Sequence, residues 1–333
     1  MIWFEFALAA LIIVLAAVKL SEFGDVIAQE TGLGGLFVGT LLMAMATSLP
    51  EILTMITAIH LDHIDLTAGD LFGSCMFNML LLGVLDMAFY QSRILRRVAL
   101  KHALTASLGT MLLGMAVFFI LARIDVQVGW VGIGSLLMIA TYAVGLYLLR
   151  NNGAPGIAPE DEPLPEEERP AHRRALRNAL IGFALAAGVL VLAAPHLVRS
   201  AGEVAEITGL GDGMVGTVLI ALVTSLPELV VMIAAVRLGA LDLAVGNLFG
   251  SNVFNMFALA LADVFYTQGS FLNAISPAFA LAGLLAMLMA ALALIGNLAQ
   301  VERRIWIVEI DAALLILAYI AGIYFLYLRG IGI

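Results

Sequence analysis

The chain has 333 residues, 62% of them hydrophobic and only 12% charged, with a formal net charge of −9. A mean hydropathy of +1.06 exceeds what any soluble domain of this length needs, which excludes a soluble fold and implies a polytopic membrane protein. Cys75 is the single cysteine, so an intramolecular disulfide is excluded as well.

Windows of about 20 residues, the length that crosses a bilayer, pick out apolar segments at 3–20, 34–59, 66–89, 103–122, 129–149, 177–198, 211–237, 243–265, 275–297 and 305–328. The first lacks the basic start and small-residue cleavage site of a signal peptide, and MIWFEF carries Glu5 instead, so it reads as a span. The second is interrupted by ATSLPEIL, residues 46–53, which places Glu51 where hydrocarbon is expected. Between the fifth and sixth segments, RNNGAPGIAPEDEPLPEEERPAHRRAL (150–176) is rich in Pro, Gly and acid and reads as a flexible tether. Its EDEPLPEEE run reads as a solvated tether rather than a weak calcium site. Of the 16 Lys and Arg residues, only Arg123, Arg199 and Arg329 fall on the side of the N-terminus. The positive-inside bias therefore predicts both termini outside and 150–176 in the cytoplasm.

A shift of 177 positions aligns residues 39–86 with 216–263 without a gap, giving 25 identities in 48 positions. Gly39-Thr40 meets Gly216-Thr217, TSLPE (47–51) meets TSLPE (224–228), and GDLFGSCMFNM (69–79) meets GNLFGSNVFNM (246–256). Apolar composition alone does not align Pro, Glu, Gly, Ser and Asn in one register. With five spans in each half, the second half enters the membrane from the opposite side. The predicted fold is an all-α polytopic membrane protein of ten transmembrane helices, arranged as two inverted five-helix repeats with broken helices at the midplane. The halves are 1–149, with repeat 39–86, and 177–333, with repeat 216–263.

Pro50 lacks an amide hydrogen, so the carbonyl of Ala46 loses its helical partner, and Leu49 is steered away from the helical region. A break at that depth survives only where it lines a cavity enclosed by protein. Freed carbonyls, the hydroxyls of Thr47 and Ser48 and the carboxylate of Glu51 then share one face, because their spacings are three and four residues. Val223, Thr224, Ser225, Pro227 and Glu228 repeat the arrangement from the other side. In the partner segments Ser74 and Asn78 lie four apart, as do Ser251 and Asn255. Gly69, Gly73, Gly246 and Gly250 are spaced for close helix approach. The donor set is all oxygen, which suits hard cations such as Ca²⁺ and Na⁺ rather than Zn or Cu, and two carboxylates match the charge of Ca²⁺. A lone Ser/Thr-Pro kink is often only a hinge; two copies in inverted halves, each with an intramembrane Glu, favour an ion site.

These motifs resemble the α-repeats of the calcium/cation antiporter superfamily, and most closely its sodium/calcium exchanger branch, in the prokaryotic form with two α-repeats. The resemblance implies calcium ligands at Glu51, Glu228 and the carbonyls of Thr47 and Thr224. It implies sodium ligands at Ser48, Ser225, Ser74, Ser251 and the carbonyls of Ala44 and Ala221, with Asn78 and Asn255 as the central polar pair. It also implies that spans 3–20 and 177–198 slide against a static core to alternate access. Ala46 and Val223 stand where exchangers carry Gly, Asn255 where many carry Asp, and Asp70 where most carry Asn. The proton-coupled branch typically shows G-N-x-x-E in place of TSLPE.

The function this implies is secondary antiport of Na⁺ against Ca²⁺ in a bacterial or archaeal plasma membrane. The partners are the two transported ions and the bilayer; no cofactor, nucleic acid or enzymatic activity is expected. Ca²⁺/H⁺ antiport and K⁺-dependent Na⁺/Ca²⁺ exchange are the alternatives within transport. A passive channel fits less well, because broken helices of inverted symmetry close an occluded site. His60 and His63 read as an exposed polar turn, Asp86 and Asp263 as helix-terminating residues, and Asp70 as either a site extension or a helix starter.

Overall fold

Long apolar runs satisfy their own backbone polar groups by winding into helices, and helices make up nearly all of the described residues. The computed structural model describes residues 2–31, 44–89, 99–152, 169–299, 304–305 and 308–331. In chain order the helices are α1 (Ile2–Glu30), a turn at 44–47 leading into α2 (Leu49–His60), α3 (Ile64–Ala88), α4 (Ala99–Ala122), α5 (Ile133–Asn152) and α6 (Arg169–Thr208). There follow α7 (Gly211–Val215), a π-turn (Gly216–Ile220), α8 (Ala221–Thr224), α9 (Leu226–Arg237) and α10 (Leu241–Phe265). The short α11 (Phe271–Ala274), α12 (Phe279–Ala299) and α13 (Ile310–Leu328) complete the chain. Two-residue antiparallel hairpins, Gln127–Val128 with Val131–Gly132 and Arg304–Ile305 with Val308–Glu309, precede α5 and α13.

Among the described residues eight helices are long and apolar enough to cross a membrane, and Leu49–His60 and Phe279–Ile295 are shorter apolar helices. The protein is a helical integral membrane protein. Each expected apolar segment overlaps one of these helices or the composite run Gly211–Arg237, while 34–43 of the second segment and 306–307 of the last lie outside the described residues. Two are much longer than expected. The segment 3–20 is part of a 29-residue helix and 177–198 part of a 40-residue helix. At about 1.5 Å per residue, α6 extends roughly 60 Å, twice the roughly 30 Å of hydrocarbon. A hydropathy window ends where charges begin, but the backbone hydrogen bonds do not. For the same reason α5 and α6 take up 150–152 and 169–176 from the expected tether, while 153–168, including the acidic run, lie outside the described residues.

Two apolar clusters hold the helices. One joins α1 and α6, which pack along each other, to the start of the second kinked run through Ile13, Leu20, Leu197, Val204, Val215 and Ile220. The larger runs through α3, α4, α10 and α12 and includes Phe72, Met76, Leu112, Phe249, Met256 and Phe279. α3 and α10 are the most enclosed of the long helices and carry the polar residues of the repeat.

Close approach at the centre depends on missing side chains. A Cβ on Gly69 would lie 2.9 Å from the Thr217 nitrogen, and one on Gly73 would lie 2.8 Å from the Ala221 Cβ. α3 therefore crosses the π-turn backbone to backbone, as its Gly-xxx-Gly spacing predicts. The residues that the repeat relation sets against Gly246 and Gly250 include Thr40, which lies outside the described residues.

Candidate functional site

The helix interruptions fall one residue earlier than expected. Leu49 and Leu226 are already helical, and the residues that leave helical geometry are Ser48 (φ −88°, ψ 10°) and Ser225 (φ −90°, ψ 4°). The reason is that Pro50 and Pro227 sit in the first turn of α2 and α9, where a missing amide hydrogen costs nothing. One bond enters and one leaves each kink: Ser48 N–H to Ala44 O (3.0 Å) with Ile52 N–H to Ser48 O (3.4 Å), and Ser225 N–H to Ala221 O (3.1 Å) with Leu229 N–H to Ser225 O (3.3 Å). None of these bonds serves the carbonyls of Thr47 and Thr224.

All twelve expected site residues are buried, none more than 1% exposed. Glu228 Oε1 accepts from Ser48 Oγ, on the other kinked helix, and from Ser251 Oγ on α10, each at 3.2 Å. Thr47 Oγ1 donates to Ala44 O at 3.2 Å, with Asn247 Oδ1 and Ser251 Oγ each at 3.5 Å. Across the repeat relation, Thr224 Oγ1 lies 3.0 Å from Asp70 Oδ1 and 3.4 Å from Ser74 Oγ. Asn78 Nδ2 donates to Asn252 Oδ1 at 3.0 Å. Ser225 does not mirror Ser48: its hydroxyl has no hydrogen-bond partner. Asn255 likewise has no partner for either amide atom, so Asn78 pairs with Asn252 rather than with Asn255.

Among the described residues, six buried acceptor oxygens of this centre are thus without a close hydrogen bond: both of Glu51, Glu228 Oε2, Asn78 Oδ1, Asn255 Oδ1 and Ser225 Oγ. None of Glu51, Glu228 and Asp70 pairs with a Lys, Arg or His among the described residues. Buried anions without a partner are strongly unfavourable. The group that satisfies two carboxylates and several neutral oxygens at once is a hard cation, which takes 6–8 oxygen ligands when it is Ca²⁺. The Ala221 carbonyl keeps one lone pair. The Ala44 carbonyl already accepts from Ser48 N–H and Thr47 Oγ1, so it is available to an ion only when the Thr47 hydroxyl turns to Asn247 or Ser251.

Other polar residues fall outside this centre. Asp263 accepts from Gly132 N (3.0 Å) and Phe271 N (2.6 Å) and ties α10 to the hairpin and α11, a structural role like the helix-ending one expected. His60 bonds its own helix at Ile56 O. His63 is not simply exposed: its Nδ1 is 2.6 Å from Asp212 Oδ2, and its ring lies against Gly202 of α6. Neither histidine belongs to a metal-holding cluster among the described residues. Sequence reasoning passed over Asn252 and Thr54, and takes Asn247 only as the counterpart of Asp70. The GSN spelling at 250–252 was a signal for the first, hidden because its counterpart is Cys75.

Comparison with known proteins bears on the fold and the family. The sodium/calcium exchanger MaX1 of Methanosarcina acetivorans is 42% identical over 83 residues, 25% of this chain and 24% of that protein. Among solved structures, the H⁺/Ca²⁺ exchanger CAX superposes with a TM-score of 0.65 at 15% identity, covering 99% of this chain and 89% of that one. The sodium-calcium exchanger NCX_Mj superposes at 0.60 and 23% identity, covering 97% and 99%. The family described as sodium/calcium exchanger protein matches residues 1–150 and 178–328. That match takes in both halves and both kinks and omits little beyond the join between α5 and α6: the chain belongs to the sodium/calcium exchanger protein family.

Proposed function

We propose that this protein is a secondary antiporter that moves Ca²⁺ against Na⁺ by alternating access, with no chemical catalysis. The observation that carries the reading is the set of unsatisfied buried oxygens around Glu51 and Glu228, supplied by two kinked helices of matching sequence. Ca²⁺ takes the two carboxylates with the carbonyls of Thr47 and Thr224. Na⁺ takes the hydroxyls of Ser48, Ser225, Ser74 and Ser251 with the carbonyls of Ala44 and Ala221, and Asn78 and Asn255 line the centre. In this reading ten spanning segments form two inverted halves, 1–149 and 177–333, joined by a cytoplasmic 150–176, with both termini outside a bacterial or archaeal plasma membrane. α1 and α6, which pack on each other and share an apolar cluster apart from the main core, are the pair that slides.

Sodium is favoured as the coupling ion by TSLPE in both repeats and by the likeness to MaX1. The likeness to CAX supports a second reading, cation/proton exchange through the same site. Calcium flux in proteoliposomes with Na⁺, K⁺ or pH gradients imposed singly separates them. Calcium loading driven by an outward Na⁺ gradient alone is the expected result. Robust uptake driven by protons without sodium moves the assignment to the second reading.

A further inference from the structure

The repeat relation pairs Asp70 with Asn247, and the two halves treat these positions differently. Asp70, 1% exposed, lies 3.0 Å from Thr224 Oγ1, 2.9 Å from Thr54 Oγ1 and 3.5 Å from Ser74 Oγ. Among the described residues, Asn247 has only Thr47 Oγ1 at 3.5 Å, and its Nδ2 is unpartnered. Where the first half supplies Thr54, the second has Val231. Thr54 also lies 2.9 Å from the Pro50 carbonyl and 3.0 Å from that of Glu51, so Asp70 is fastened to the turn that carries the first site carboxylate.

A hydroxyl has one proton and two lone pairs. When Thr224 donates its proton to a carboxylate, both lone pairs remain for a cation, and the anion behind it raises its donor strength, as carboxylates behind metal ligands do. Each threonine also has a carbonyl of its own run within reach, Thr224 that of Ile220 at 3.1 Å and Thr47 that of Ala44 at 3.2 Å; what Thr47 lacks is a carboxylate at the position of Asp70, where the second half has Asn247.

We propose that Asp70 is a positioning residue for the coupling ion: by accepting from Thr224 and Ser74 it makes the hydroxyl pocket on its side of the pseudo-twofold the tighter of two Na⁺ pockets. The pocket of Thr47 and Ser251 is the weaker one. This rests on the reading above that the Ser74 and Ser251 hydroxyls meet transported Na⁺, and it extends that reading to the neighbouring hydroxyls of Thr224 and Thr47. It adds an asymmetry that the repeated motif conceals, and a role for a residue outside that ligand set.

The test compares Asp70→Asn, which gives position 70 the residue found at 247, with Asp70→Asn/Asn247→Asp, which moves the charge across the pseudo-twofold. Na⁺ and Ca²⁺ are titrated separately, by exchange in proteoliposomes and by thermal stabilisation of the detergent-solubilised protein. Asp70→Asn is expected to raise the Na⁺ half-saturation about tenfold, with maximal rate and Ca²⁺ half-saturation each changed less than about threefold; the swap regains most of the Na⁺ affinity. Thr224→Val should produce the same Na⁺ defect, and combining it with Asp70→Asn should add nothing further. An unchanged Na⁺ titration, a Ca²⁺ shift as large as the Na⁺ shift, or additive effects of the two substitutions overturns the proposal. A wild-type protein that responds to neither Na⁺ titration instead overturns the antiport reading beneath it.

Discussion

Replacing Glu51 by Gln should separate folding from ion binding. Both carboxylate oxygens of Glu51 are buried without a close hydrogen bond, with the Thr224 hydroxyl beside them, so the substitution removes a charge and disturbs little bonding. The ion-free protein should therefore unfold at the same temperature or higher, since an unpaired buried anion is a liability. Calcium binding should collapse. Two unit charges about 4 Å apart interact by roughly 4 kcal/mol at an effective dielectric of about 20, and a divalent ion doubles this. If only a quarter of that attraction survives competing solvation, the loss is about 2 kcal/mol, or roughly thirtyfold in affinity. The assay is thermal unfolding of the purified protein across a calcium titration. Wild type at a hundred times its Kd should gain about 2.7 kcal/mol, and the variant at the same calcium concentration only about 0.9 kcal/mol. A variant that binds calcium within threefold of wild type would refute the reasoning. So would one that unfolds well below wild type without calcium, because Glu51 would then be a structural group.

Gly73→Ala places a methyl group 2.8 Å from the Ala221 Cβ and should cost about 1–3 kcal/mol by overpacking, read as a lowered unfolding temperature. Asn252→Ala leaves Asn78 Nδ2 without its acceptor and should destabilise by about 1–3 kcal/mol, whereas Asn255→Ala, at an amide with no partner, should cost less in the ion-free protein. The contact with Asp212 raises the pKa of His63 above the usual histidine value, with smaller contributions from the charges of Asp62 and Glu206. A raised folded pKa means that the pair's contribution to stability is full below about pH 6.5 and is lost as pH rises through the folded value. His63→Gln should therefore narrow the difference in unfolding temperature between pH 6 and pH 9, and an unchanged difference would mean that the pair is solvated away.

What could be read from the sequence is what local chemistry dictates. Glu51 and Glu228 announce themselves because an acid inside an apolar run is costly anywhere except a site, and the repeat of TSLPE fixes the correspondence between the halves. The position of the kink was misjudged by one residue because proline acts there as a helix starter rather than a helix breaker. Asp70 could not be interpreted because its partners, Thr54 and Thr224, are 16 and 154 positions away and only folding brings them together. Asn252 was passed over because its counterpart is a cysteine, and the asymmetry of Ser48 and Ser225 cannot be seen in identical letters. The extensions of α1 and α6 lie beyond the apolar stretch that hydropathy can detect. The π-turn has no spelling of its own: GTVLI at 216–220 reads like any helix.

That π-turn determines where Thr224 points. A single π-turn accommodates one residue more than an α-turn over the same axial distance, so it offsets the azimuth of everything that follows by about 100°. If Gly216–Ile220 relaxed into α-geometry, Ala221 and Thr224 would swing around the axis by that angle, and Thr224 would turn away from Asp70 and Ser74. The extra residue works as a phase shift. It turns the polar face of a run whose periodicity would otherwise aim it elsewhere, and it does so where Gly69 and Gly73 let α3 lie against the widened turn. Deleting one residue from this stretch would let it close into α-geometry with Thr224 still facing the helix it meets, whereas the full-length run wound entirely as α-helix would turn Thr224 out of register.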